Sequence, residues 1–120
     1  MNTKVAVSSQ NKKTITGHAG GCRNFFIYTI DKQGSFEKTA LKLSKEETLR
    51  FTFHDDTSPD PSNKLFNMDI IITQGIGQGG INKLAQKNVK AYIVQEKDPD
   101  TAIKKMIEGT LMVHSEGHQH

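Results

Sequence analysis

A single cysteine, Cys22, in 120 residues excludes an internal disulfide and fits a reducing compartment. No apolar stretch approaches the roughly 20 residues of a membrane-spanning helix. Met1-Asn2-Thr3-Lys4 runs straight into a short apolar strand with no leader-like segment. The expectation is therefore a cytoplasmic protein without a membrane partner. Charge of one sign is also scarce. The net charge is +3, and the lysines are scattered rather than interleaved with aromatics, so a nucleic-acid partner is not expected. Strand residues 4–8 carry no Asp or Glu, which removes the anchor of a two-metal nuclease cluster. Ser8 and Ser9 lack the flanking glycines of a nucleophile elbow. Asp55, Asp56 and Asp60 cluster on a proline-containing loop, where they read as turn and solvation chemistry. With no paired general acid and base, no catalysis is expected.

What the chain does have is concentrated in one loop, Gly17-His18-Ala19-Gly20-Gly21-Cys22-Arg23, between the apolar runs Val5-Ala6-Val7 and Phe25-Phe26-Ile27-Tyr28. Thiolate and imidazole are the side chains best suited to soft metals and iron–sulfur clusters. Glycines let backbone approach a bulky ligand, having no Cβ to clash. His18 and Cys22 are thus candidate metal ligands, although two donors fall short of a metal-site signature. A plain reading stands beside this one, with Cys22 a small buried hydrophobe and His18 a hydrogen-bonding loop residue.

The apolar (34%) and charged (24%) fractions suit one globular domain large enough for a single core. Lys4–Ser8 reads as a strand, followed by a polar turn over residues 9–13. Phe25–Ile30 is a near-continuous apolar run, as in strands buried on both faces. Asp31-Lys32-Gln33-Gly34 is a hairpin turn leading to a partner strand, Phe36–Leu43, with Thr39, Leu41 and Leu43 on one face. Residues 44–53 stay open. Ser44 with Glu46 and Glu47 looks like a helix start, yet Leu49, Phe51 and Phe53 alternate like a strand. Residues 54–63 are loop by composition, and Lys64–Asn67 suits a short helical turn.

Asp69–Thr73 reads as a buried strand, residues 75–80 as a glycine-rich turn, and Ile81, Leu84 and Ala85 as a helix stripe with Asn88 as its stop. Ala91–Val94 is the next strand, giving a right-handed βαβ unit with parallel strands. Asp98-Pro99 starts a helix with apolar stripe Ala102, Ile103, Met106 and Ile107, which Gly109 ends. The sum is an α/β single domain over residues 1–112, a mixed sheet of about five strands flanked by helices. An N-terminal antiparallel hairpin precedes a C-terminal parallel βαβα half. A tail over 113–120, with His114, His118 and His120, completes the chain; such a tail can bind divalent metals or remain a free end.

If the first strand and the strand ending at Thr73 run parallel, both release their loops at one sheet edge, where α/β sheets bind ligands. The His18/Cys22 loop would then face Gly75, Gly77 and Gly79. Amides at the start of the following helix would receive an anionic cluster, and Arg23 could add a charge-assisted hydrogen bond or remain a solvated charge. His54 could be a third metal ligand if its loop folds over this edge, or an exposed loop histidine. Gly75, Gly77 and Gly80 also match G-x-G-x-x-G, with Glu96 about twenty residues on, as in a dinucleotide site. The following helix is short, however, and the chain is too small for two mononucleotide-binding halves. Glycines serving only a tight turn are the third reading.

Taken together, Lys4-Val5-Ala6-Val7-Ser8-Ser9, Gly17-His18-Ala19-Gly20, Phe25-Phe26-Ile27-Tyr28, Asp69–Gly77, Leu84 and Val89-Lys90-Ala91-Tyr92 resemble the dinitrogenase iron–molybdenum cofactor biosynthesis family of NifX/NafY-like carrier domains. The resemblance spans roughly Thr3 to Leu111 and is carried by the order of the motifs. It implies a ribonuclease H-like fold without nuclease activity. It also implies a non-enzymatic carrier that holds the iron–molybdenum cofactor or an iron–sulfur precursor cluster, with cofactor-maturation or acceptor proteins as partners. By position His18 matches the family's loop histidine, and Ala19 stands where the family tends to have an aromatic. A nucleotide-binding or regulatory interaction domain that keeps the fold without the cofactor is the alternative.

Overall fold

A computed structural model describes residues 2–16, 18–19, 21–43 and 64–113. Their strands are β1 (Thr3–Ser8), β2 (Asn24–Ile30), β3 (Phe36–Lys42), β4 (Ile70–Thr73) and β5 (Lys90–Ile93). Their helices are α1 (Gln78–Gln86) and α2 (Pro99–Glu108), and a 3-10 turn at Lys64–Asn67 leads into β4. The five strands form one mixed sheet in the order β3-β2-β1-β4-β5. β1 pairs antiparallel with β2 and parallel with β4, β2 pairs antiparallel with β3, and β4 pairs parallel with β5. The expected hairpin, the βαβ unit and the parallel placement of β1 beside β4 are all present. The open question of residues 44–63, and the tail from His114, lie outside the described residues.

Strand alternation divides the core between two faces. Ala6, Phe25, Ile71 and Ala91 face α1, where Ile81 and Leu84 pack on them. Val5, Val7, Tyr28 and Ile72 face α2, where Ala102 and Ile103 pack on them. β1, at the centre, is buried from Val5 through Ser8. β2 is not fully buried on both faces as its composition suggested: Phe26 and Ile27 are half-buried. The cause is its outer neighbour β3, which ends the described sheet and is exposed along most of its length.

Local chemistry fixes the ends of the elements. Gly34 closes the β2–β3 turn at φ +89° while the Asp31 carboxylate accepts from the Gln33 and Ser35 amides. Asp98 accepts from the Thr101 amide at 2.9 Å and caps α2, with Pro99 at the first helical position. Gly109 terminates α2 at φ +79°, and Asn88, at φ +63°, follows the end of α1. Strand ends differ from the sequence reading by a single residue, and the start of one helix differs by more. α1 begins at Gln78, so Gly79 and Gly80 lie in its first turn rather than in a loop, and Gly77 is its N-cap. Glycine composition reads as turn, but packing of Ile81 and Leu84 against the sheet carries the helix through the two glycines.

Candidate functional site

β1 and β4 run side by side, with Val5, Ala6 and Val7 opposite Ile70, Ile71 and Ile72, so both chains leave the sheet at the same edge. Under that edge the Ser8 hydroxyl donates to Thr73 Oγ1 at 2.9 Å, fully buried. Thr73 Oγ1 in turn donates to the Gly75 carbonyl at 3.2 Å and accepts from the Gly75 amide at 3.3 Å. This hydroxyl relay fixes where Gly75 leaves β4.

The loop after β1 returns to meet it. His18 and Gly75 form an isolated parallel bridge, and the Ala19 amide donates to the Gly75 carbonyl at 2.9 Å. Ala19, fully buried, anchors the loop in the α1-side core. His18 is exposed, and its imidazole lies against Gly75: a Cβ built there would sit 2.7 Å from both Cε1 and Nδ1. Gly75 is therefore glycine because the ring occupies the space of a side chain. Two residues on, Gly77 caps α1 with no side-chain hydrogen bond, and the first turn carries no acidic residue. The amides opening α1 thus keep the positive end of the helix dipole uncancelled beside His18.

The structure brings His18, Gly75, Gly77 and Gly79 to one edge. Cys22 is placed differently. It is 2% exposed and packs in the α1-side core, and its thiol donates to the Asn24 carbonyl at 3.0 Å. Burial pushes the Cys22 thiol above its usual range, outweighing backbone hydrogen bonds with Asn24 and Ser9 that favour the thiolate. Arg23 is exposed, but its Nε donates to the Leu43 carbonyl at 3.0 Å, which holds it on the β3 side of β2. Among the described residues no three His, Cys, Asp or Glu side chains gather as metal ligands, and His54 lies outside those residues.

The dinucleotide reading meets a geometric objection. Glu96 accepts from Lys105 Nζ at 2.8 Å and from the Lys97 and Asp98 amides, so its carboxylate is committed to the residues leading into α2 and to a lysine of its last turn. The lysine lowers its pKa first, and the Asp98 amide next. What sequence reasoning missed is the Ser8–Thr73 relay that sets the height of the Gly75 loop. Its signal was a hydroxyl at the carboxyl end of each of two strands expected to be neighbours.

No helix among the described residues is long and apolar enough to cross a membrane. Among curated proteins none matches this chain. Solved structures do. One is a Methanocaldococcus jannaschii protein provisionally named a dinitrogenase, 24% identical, with 96% of this chain and 97% of that one covered and a TM-score of 0.64. Another is a Thermotoga protein provisionally named NifB, 20% identical, with 92% of each chain covered and a TM-score of 0.60. At these identities the likeness is one of fold. The model of the dinitrogenase iron-molybdenum cofactor family matches residues 1–109, nearly all of the chain and both loops of the edge just described, and the chain belongs to that family.

Proposed function

We propose that the chain is a non-enzymatic carrier of an iron–sulfur or iron–molybdenum cluster or its precursor, taken up and released at the edge formed by His18 and the Gly75–Gly79 segment. The observation that carries this reading is the exposed imidazole lying on Gly75, two residues before Gly77, an N-cap of α1 that makes no side-chain hydrogen bond. One soft nitrogen donor and a group of backbone amides suit an anionic metal–sulfur cargo. Few ligands also suit a cargo that must be handed on to a maturation or acceptor protein. Cys22 enters as a second donor only when the loop releases it from the core and it loses its proton. Arg23 joins only by giving up the Leu43 carbonyl. The ribonuclease H-like description of the fold goes with this reading, supported by antiparallel β1–β3 joined to parallel β4 and β5. A cytoplasmic setting accords with it.

Anaerobic titration with the iron–molybdenum cofactor and with a simple iron–sulfur precursor, followed by absorbance and metal analysis, tests the proposal. Stoichiometric uptake by the wild type that His18→Ala abolishes is the expected result. No uptake by the wild type overturns it and leaves the regulatory interaction domain as the function to pursue.

A further inference from the structure

A groove of about 180 Å³ opens beside β2 and β3, lined by Ser9, Lys12, Asn24, Phe26, Ala40 and Lys42 among others. Its origin is in the strand register. Ala40 sits opposite Phe26, and Lys42 opposite Asn24. Alternation puts Asn24, Phe26, Ala40 and Lys42 on the α2 face of the sheet. Ala40 is too small to cover the Phe26 ring, which is left half-buried as an apolar floor. The loop after β1 supplies the remaining wall. Lys12 is held there at φ +64°, a conformation costly for a residue with a Cβ. The Asn11 carboxamide keeps it so by accepting from the Lys13 and Thr14 amides at 2.9 Å.

The floor is apolar and the rim cationic. Lys12 and Lys42 are exposed, and neither forms an ion pair or hydrogen bond through its ammonium group among the described residues. By contrast Lys38, four residues before Lys42 on the same face, is paired with Asp100 at 3.0 Å and lies 4.4 Å from the centre of the Phe26 ring. We propose that this groove is a binding site for a small organic carboxylate with an apolar body, the body on Phe26 and Ala40 and the carboxylate between Lys12 and Lys42. It stands apart from the carrier edge, because neither His18 nor any residue of the Gly75–Gly79 segment lines it. Its success or failure is therefore independent of the carrier reading.

The test is amide NMR titration of the full chain with benzoate, with benzamide as the neutral isostere and acetate as the carboxylate without a body. Benzoate should saturate shifts confined to Phe26, Ala40, Lys42 and the 9–13 loop. Benzamide and acetate should each bind at least about fivefold more weakly, as expected when two exposed cations and an apolar floor act together. Lys42→Gln, and Lys12→Asn, which tolerates the left-handed backbone, should each weaken benzoate about three- to fivefold. Ala40→Leu fills the groove from an exposed position and should remove binding at unchanged melting temperature, while His18→Ala leaves binding intact. Absence of saturable shifts in the groove overturns the proposal. So does equal binding of benzamide or acetate, or an Ala40→Leu protein that binds as the wild type does.

Discussion

The imidazole of His18 occupies the place a side chain would take on Gly75, with Cε1 and Nδ1 each 2.7 Å from that position. The two residues belong to different loops, yet the ring cannot keep its present place over any residue but glycine. Gly75→Ala should therefore act on His18 before it acts on the fold. The ring is exposed and can swing away, so the melting temperature should fall by no more than a few degrees. Cluster uptake should drop nearly as far as in His18→Ala, and a histidine-selective NMR spectrum should show the moved ring. Unchanged uptake with a displaced ring would separate His18 from the cargo.

On the other face, Asp100 at the start of α2 accepts from the Tyr28 hydroxyl and pairs with Lys38. The tyrosine hydrogen bond is the larger cause, and Lys38 the next, of an Asp100 carboxyl held below its ordinary range; burial first, and then the same contact, push Tyr28 far upward. A carboxylate with a depressed folded pKa adds stability above its unfolded pKa and loses it as pH falls through the folded value. Asp100→Asn should then cost about 1 kcal/mol near pH 7, a figure already reduced for solvent screening of this half-exposed group. The difference from wild type should shrink below pH 4. Urea titrations between pH 2.5 and 7 check this.

The local ends of the elements were legible from sequence because each rests on a residue with its own backbone chemistry: Gly34 and Gly109 at positive φ, Asn88 after α1, Asp98 and Pro99 before α2. The meeting of the two loops followed from the sequence only on condition that β1 and β4 are parallel neighbours, an adjacency that the βαβ unit of β4 and β5 does not itself dictate. What failed to show was set by packing. For Cys22 the sequence left two readings, metal ligand or small buried hydrophobe, and packing of the loop into the α1-side core favours the second. Gly79 and Gly80 argue locally for a turn, and the burial of Ile81 and Leu84 overrides them. The groove over Phe26 depends on Ala40 falling opposite it, a register that the turn fixes but composition does not.

Cys22 should behave as a core thiol in the native chain. Its raised pKa leaves it protonated at pH 8, so native alkylation by iodoacetamide should be slow and should become fast in denaturant. The linkage has the opposite sign to that of Asp100. An acid whose folded pKa is raised loses stability as pH climbs through its unfolded value, because the unfolded chain gives up the proton first. The wild type should thus lose stability above about pH 8.5, where an unperturbed thiol titrates, more steeply than Cys22→Ala does. Cys22→Ala should itself cost about 1–2 kcal/mol at pH 7 for the atom removed from a packed site. Rapid native alkylation would show that the loop releases Cys22 readily, and would strengthen it as a cluster ligand.

Thr73 joins the interior of the sheet to the carrier edge, so its variants can separate stability from function. Thr73→Val keeps the volume but removes the oxygen that accepts from Ser8 and from the Gly75 amide. With Ser8 fully buried, the loss should cost about 1–3 kcal/mol, the penalty of a stranded polar group. Thr73→Ser restores the oxygen and should recover most of that, leaving the cost of one methyl group, about 1 kcal/mol. Gly75 leaves β4 through the same hydroxyl, so Thr73→Val should also let the Gly75 loop drift from His18. Hydrogen exchange at the Ala19 amide, which donates to the Gly75 carbonyl, reads that drift directly. Faster Ala19 exchange and weaker cluster uptake in Thr73→Val, with both restored in Thr73→Ser, would make the buried relay the element that holds the carrier edge together. If Ala19 exchange stays at the wild-type rate in Thr73→Val, the two loops are held by their own backbone bridge, and the relay serves stability alone.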